Sequence, residues 1–315
     1  MADLTIKEGW LECTDEYRAV TARLTPERSA AWSAAITGNE GAACVQTETN
    51  SALAPVSLKV DWDYTGLADS YVHRPGYAPH AISTFLNLAG PAATRMVIDL
   101  GAGTGLLTER LAERCGEVVA LEPNHAMRRH GIARTSGLAN VRWMVGRMED
   151  TGLPPGRFSL ATCGSSFGVA DHGATLREIA RILEPAGWFA CLWNYRDLQD
   201  PLQRDIESHI KASIPGFQYG ARREDQTPII MAGGLFGHVQ IVQAGIRHRL
   251  PKHEWIDAWR SHATLQRQAG SQFQSVVDGI AAIVDGIAGD TVEIPYVTRV
   301  WVAQSCRAVV ADGGN

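Results

Sequence analysis

The stretch Val97-Ile-Asp-Leu-Gly-Ala-Gly-Thr-Gly-Leu-Leu107 decides how the rest of the chain is read. An apolar run of strand length meets three glycines at every second position, and an apolar helical pattern begins directly after them. Gly101, Gly103 and Gly105 allow backbone conformations that a Cβ would forbid and let a ligand approach the main chain closely. The helix start adds unpaired N–H groups and a partial positive charge. A dinucleotide fingerprint would place its third glycine five positions after the first. Here Leu106 holds that position, and Asp99 sits two residues before Gly101. A carboxylate at Asp99 opposes a pyrophosphate but can accept from an ammonium group or a loop amide. The spacing argues against NAD.

The next apolar run, Val118 to Leu121, ends in Glu122. An acidic side chain at the end of the second strand can accept both hydroxyls of a ribose. Strand and helix patterns alternate through this region. Pro79 to Leu88 reads as a helix, Met96 to Leu100 as a strand, and Leu107, Leu111 and Cys115 fall on one helical face. Strands follow at Val118–Glu122, Val141–Val145, Phe158–Cys163 and Trp188–Trp193, with helices opening near Asn124 and spanning Leu176 to Leu183. Short connections between alternating elements imply parallel βαβ units, an α/β fold with a doubly wound sheet.

Outside this block the pattern changes. Residues 1–63 are expected to form a helical cover, with Trp10, Tyr17, Val20 and Leu24 on one helix and a second short helix from Pro26 to Ala35. Such a segment serves either as a lid or as a contact with a second copy of the chain, a homodimer. Residues 64–310 form the main domain, and 197–290 contribute a helical insertion on the substrate side. That stretch contains helical patterns at Pro201–Ile214, Trp255–Leu265 and Phe273–Ile287 and a strand-like run from His238 to Leu250. A last strand, Val292 to Gln304, closes the fold.

Composition bounds the function. The chain has 315 residues with 29 basic and 34 acidic side chains, and no basic block for counterion release, so nucleic acid is not an expected partner. No apolar run reaches the roughly 18 residues that cross a bilayer. The amino terminus lacks a signal-peptide pattern, which gives a cytoplasmic expectation. Six cysteines are scattered without a C-x-x-C pair, so reduced buried thiols are expected and no metal site.

On the glycine loop and Glu122 together, the chain resembles the class I S-adenosylmethionine (SAM)-dependent methyltransferases, small-molecule branch, from about Tyr71 to Ala303. The resemblance implies a seven-stranded, mostly parallel, Rossmann-like sheet with an antiparallel last strand. It also implies SAM as cofactor and S-adenosylhomocysteine as product. D-L-G-A-G-T-G matches the first family motif, so Asp99, Gly101, Ala102, Gly103, Thr104 and Gly105 would surround the methionine part. L-E-P-N matches the second, with Glu122 on the ribose and Pro123 and Met127 beside the adenine. V-G-R-M-E-D places Met148 and Glu149 against the adenine, and T-C-G-S-S-F places Cys163 and Ser165 in the cofactor pocket. Ser159 stands where the family often has Asp, and Ala186 replaces a commoner Gly. Y-V-H-R-P-G-Y resembles a segment whose Tyr and Arg reach the cofactor carboxylate, here Tyr71 and Arg74.

Three residues are candidates for catalysis at the rim where open α/β sheets place their chemistry: Asp171, His172 as general base, and Tyr195. Asn194 and Arg196, leaving the fifth strand, are expected to touch a small-molecule substrate. The expected reaction is in-line methyl transfer to that acceptor. Two other outcomes stay open: transfer or cyclisation of the aminocarboxypropyl arm with release of methylthioadenosine, and SAM binding without catalysis.

Overall fold

The computed structural model describes the backbone of residues 4–7 and 10–13 and, with side chains, residues 63–90, 95–220 and 224–306. Two short strands, β1 (Leu4–Lys7) and β2 (Trp10–Cys13), pair antiparallel. They correct the expectation of a helix through Trp10. The alternation of Leu4 and Ile6 with Thr5 and Lys7 has the period of a strand, and Trp10 pairs with Met144 to extend the sheet. The remaining expectations for the first 63 residues, at Tyr17, Val20, Leu24 and the second helix, lie outside the described residues.

A 3-10 turn (Thr65–Leu67) leads into α1 (Ala68–Tyr71), then α2 (Pro79–Leu88), with Pro79 in the first turn, where its missing N–H costs nothing. The alternation follows in chain order: β3 (Met96–Leu100), α3 (Leu106–Ala112), β4 (Glu117–Leu121), α4 (His125–Thr135) and β5 (Val141–Met144). Next come β6 (Phe158–Gly164), α5 (His172–Ile182) and β7 (Leu183–Arg196). Helices α6 (Pro201–Ser213) and α7 (Thr227–Met231) precede β8 (Gln240–Pro251). Then α8 (Lys252–Arg260), α9 (Ala263–Ala269) and α10 (Phe273–Asp285) lead to β9 (Thr291–Gln304).

The sheet runs β1-β2-β5-β4-β3-β6-β7-β9-β8. Strands β5, β4, β3, β6 and β7 are parallel, whereas β9 is antiparallel to both β7 and β8. Strand order reverses at β3, so the carboxyl ends of β3 and β6 diverge into a crevice. Side chains along β3 alternate between two cores. Val97 packs with Phe85 of α2 and Leu111 of α3 on one face, and Ile98 and Leu100 pack with Ile179 of α5 on the other. Cys163 and Cys191 are buried at paired positions of β6 and β7.

A third core joins Ile206 and Ile210 of α6, Trp255 and Trp259 of α8, and Val277 and Ile280 of α10. The strand-like run expected from His238 to Leu250 is β8, the outermost strand on that side among the described residues, which pairs with β9 along its whole length. No helix among the described residues is long and apolar enough to cross a membrane.

Candidate active site

The cleft, about 260 Å³, opens at the carboxyl ends of β3, β4, β6 and β7 and is roofed by α8 and the start of α9. Its floor is the glycine loop. Gly101 has φ +67°, and a Cβ there would lie 2.6 Å from Ser166 Cβ and 2.9 Å from Met148 Cε. The N–H groups of Gly101 and Ala102 both donate to Leu121 O, which ties the loop to the end of β4.

Glu122 sits at that junction, 8% exposed. Its Oε2 accepts from Gly103 N at 2.8 Å and its Oε1 from Asn124 N at 2.8 Å. Burial pushes its carboxyl up to about 7, against the opposing effect of the two backbone N–H groups and Arg128. Arg128, 1% exposed, donates to Glu122 O at 2.7 Å and Pro123 O at 3.1 Å, so a buried guanidinium fixes the backbone carrying the acid. Asn124 caps α4 by accepting from Met127 N. Sequence reasoning missed Arg128, which lies on the polar-looking run H-A-M-R-R-H.

Asp99 is fully buried at the end of β3 and accepts from Thr108 Oγ1 at 2.7 Å and Thr162 Oγ1 at 3.0 Å. Burial pushes its carboxyl up to about 6. Its hydrogen bonds serve the strand–loop–helix junction. Thr104 Oγ1 is buried on the loop and makes no hydrogen bond among the described residues. Pro123, Met127, Met148 and Glu149 line the cleft as the motif spacing implied.

Two expected cofactor residues are elsewhere. Gly105 (φ +77°) starts α3 and packs against Gly131 and Trp143, where an added Cβ would meet atoms at 3.2–3.3 Å. Its glycine serves the packing of α3 on α4. Cys163 is wholly buried within the sheet, and burial raises its thiol. The cleft wall there is formed by Gly164, Ser165 and Ser166 instead. Ser165, at φ +60°, approaches the Tyr77 hydroxyl at 3.0 Å. Ser159, at the departure from the family pattern, is buried and donates to Met96 O at 3.2 Å.

Tyr71 and Arg74 both line the cleft. Arg74 donates through Nε to Ser261 Oγ at 2.8 Å and through Nη2 to Ser261 O at 2.9 Å, with its Cζ 5.2 Å from the Tyr71 ring centroid. The pair thereby fastens the end of α8 over the cleft.

The catalytic candidates separate. Asp171 caps α5, accepting from Ala174 N at 2.7 Å. His172 stacks on Phe167 with ring centroids 4.6 Å apart. Neither lines the cleft, because both are turned into the start of α5, and a base acting there would have no substrate within reach. Tyr195 does line the cleft. Asn194 lines it too, yet its amide is committed: Nδ2 donates to Pro75 O and Gly76 O, and Oδ1 accepts from Thr298 Oγ1. Its role is to pin the segment before α2.

Arg196 faces the far end of the cleft with Tyr219, Trp255, Trp259, His262 and Tyr296. Tyr219 lies in the connection after α6, Trp255 and Trp259 on α8, His262 at the start of α9 and Tyr296 on β9, and no local motif marked them. His262 caps α9, its Nδ1 accepting from Leu265 N at 3.1 Å. Burial raises the Tyr296 phenol, opposed by the Trp255 indole and by Arg196 and Arg74 nearby.

Residues 97–187, the glycine loop through the first part of β7, match the model of a methyltransferase domain. Over that segment, which begins in β3 and ends in β7, the chain is similar to a methyltransferase domain. Uncharacterized methyltransferases of Mycobacterium tuberculosis share 37% identity with it over 124 residues, 39% of this chain and 48% of theirs. A ubiquinone/menaquinone biosynthesis C-methyltransferase of Rubrivivax gelatinosus is 37% identical over 111 residues, 34% of this chain and 43% of its own length. The chain thus spans about half the length of these relatives. A solved candidate type II methyltransferase from Anaeromyxobacter dehalogenans covers 73% of this chain and 97% of its own, at TM-score 0.52 and 19% identity. That likeness is one of fold and takes in more of the chain than the matched segment.

Proposed function

We propose that the protein is a SAM-dependent methyltransferase acting on a small-molecule acceptor. The observation that carries the reading is Glu122. It is buried at the end of β4 and bonded to the glycine-loop amide of Gly103, with lone pairs remaining to accept from two ribose hydroxyls. The loop fits the rest of the cofactor. A side chain at Gly101 would fill the cradle, and the orphaned Thr104 hydroxyl needs a partner there.

In this reading Gly101 to Thr104 hold the methionyl arm, Glu122 the ribose, and Met127 and Met148 the faces of the adenine. Arg74 and Tyr71, already at the cleft, would take the cofactor carboxylate. SAM supplies a methyl group on a positively charged sulfur. What the chain adds is position and dryness. The roof of α8 and α9 and the walls from Tyr77 and Trp193 keep water from the nucleophile, and holding the acceptor in line supplies much of the acceleration.

The Asp171–His172 pair being absent from the cleft favours an acceptor that reacts without strong-base assistance, with Tyr195 as a positioning hydroxyl. A metabolite acceptor is supported by the enclosure of the cleft within one chain and by a relative named for ubiquinone and menaquinone biosynthesis. The test is incubation of the protein with SAM and a metabolite extract, reading sulfur products by mass spectrometry. S-adenosylhomocysteine supports methyl transfer. Methylthioadenosine would mean transfer of the other arm, and tight binding with neither product would mean a binding protein.

A further inference from the structure

The charged groups of the cleft are segregated. Asp99, Glu122, Arg147 and Glu149 lie at the glycine-loop end, Arg74 is fastened to Ser261 at the end of α8, and Arg196 stands among the aromatic residues. Its side chain is 9% exposed. Nη2 donates to Glu207 Oε2 and to the Tyr219 hydroxyl. The guanidinium carbon lies 4.9 Å from the Trp259 ring centroid and 5.5 Å from that of Tyr219. Nη1 is buried and makes no hydrogen bond among the described residues, and the same holds for Nε1 of Trp259. Two donors on adjacent side chains of one cleft wall are thus left unsatisfied, a costly arrangement unless a ligand supplies acceptors.

Glu207 does not cancel the charge here. It also pairs with Lys211 at 3.2 Å, so the group of Arg196, Glu207 and Lys211 keeps one net positive charge. A cationic acceptor would find the faces of Trp259 and Tyr219 already taken by the guanidinium. An anion would find donors and charge together.

Resting on the methyltransferase reading, we propose that the acceptor carries a carboxylate, bound by Arg196 Nη1 and Trp259 Nε1, next to a flat apolar body against Trp255. With Arg74 assigned to the cofactor carboxylate, one net charge and two donors match a planar monoanion. A phosphate dianion would leave charge unmatched. The site sits at the end of the cleft opposite Glu122, so a carboxylate anchored there points the remainder of the acceptor back toward the glycine loop.

The test uses the full chain loaded with S-adenosylhomocysteine and matched probes, benzoate with benzamide and cinnamate with cinnamamide, followed by ligand-detected NMR. The acids should bind about ten-fold more tightly than the amides, the equivalent of one charge-assisted contact. Arg196→Met should remove that preference and Trp259→Phe, which keeps a ring but deletes the N–H, should reduce it, with affinity for S-adenosylhomocysteine unchanged. If Arg196→Met does not fold because Glu207 loses its partner, Arg196→Met with Glu207→Gln makes the same comparison. Equal binding of acid and amide, no binding of either, or a preference that survives both substitutions overturns the proposal. Failure of S-adenosylhomocysteine to bind the wild type would strike the methyltransferase reading instead. The same probes on unloaded protein would still read the carboxylate site.

Discussion

The carboxylate of Glu122 accepts the backbone N–H of Gly103 at 2.8 Å across the floor of the cleft. That one bond joins the end of β4 to the loop after β3, the two places where a nucleoside with a charged sulfur must be held. It also makes the site sensitive to protons, because burial pushes the Glu122 carboxyl up to about 7.

Cofactor affinity should therefore follow pH. Ribose hydroxyls need an ionised acceptor, so SAM binding weakens as pH falls below about 7 and releases protons near neutrality. Titration calorimetry in buffers of different ionisation enthalpy measures that release. Glu122→Gln should abolish it, and a proton release unchanged in that variant would remove Glu122 from the ribose site.

Stability of the free protein should change in the opposite sense. The folded values of Glu122 and Asp99 lie above the unfolded ones, so each group's contribution is fully present below the unfolded value and is lost as pH rises through the folded one. The melting temperature without ligand should fall as pH rises from about 4 to about 7 on account of these groups. Glu122→Gln should flatten that slope. A slope the substitution leaves untouched would mean the acid is not held in a dry site.

Gly101→Ala should damage both fold and binding. The new Cβ would lie 2.6 Å from Ser166 Cβ at a positive φ, so backbone strain of about 1–3 kcal/mol adds to the clash. Thermal melting should drop and SAM binding should be lost. A variant that melts and binds like the wild type would show that the loop is not close-packed.

His172→Ala should leave turnover intact, since the ring packs on Phe167 away from the cleft. Steady-state kinetics against any acceptor that turns over decides this. A large fall in kcat with unchanged melting would restore His172 as a base and require α5 to move.

Arg128→Leu should destabilise by about 1–3 kcal/mol, because the Glu122 and Pro123 carbonyls just after β4 lose a charged donor. Denaturant unfolding reads the loss directly. Neutral behaviour would mean that other groups fix the Glu122 backbone.

The glycine loop, Glu122 and the strand order around them were legible because their signals are local. Apolar runs of strand length meet glycines and an acid at fixed offsets. Asp171 was singled out as a catalytic candidate, and the structure shows it capping α5 through Ala174 N instead. Of the aromatic end, only Arg196 was singled out in the sequence. Tyr219, Trp259 and Tyr296 meet it from the connection after α6, α8 and β9, and no spacing in the sequence records that meeting. The run from Trp255 to Leu265 reads as one helix, yet the chain breaks at Ser261, which Arg74 grips from the other side of the cleft. Long-range polar contacts of that kind fixed the helix ends.

The most direct measurement is calorimetric titration of the purified full chain with SAM, with NAD as the comparison and Glu122→Gln as the variant. Saturable heat is expected with SAM and none with NAD, with SAM binding at least about ten-fold weaker in the variant, in keeping with loss of charged hydrogen bonds. Saturable NAD binding without SAM binding, or full SAM affinity in Glu122→Gln, would contradict that expectation.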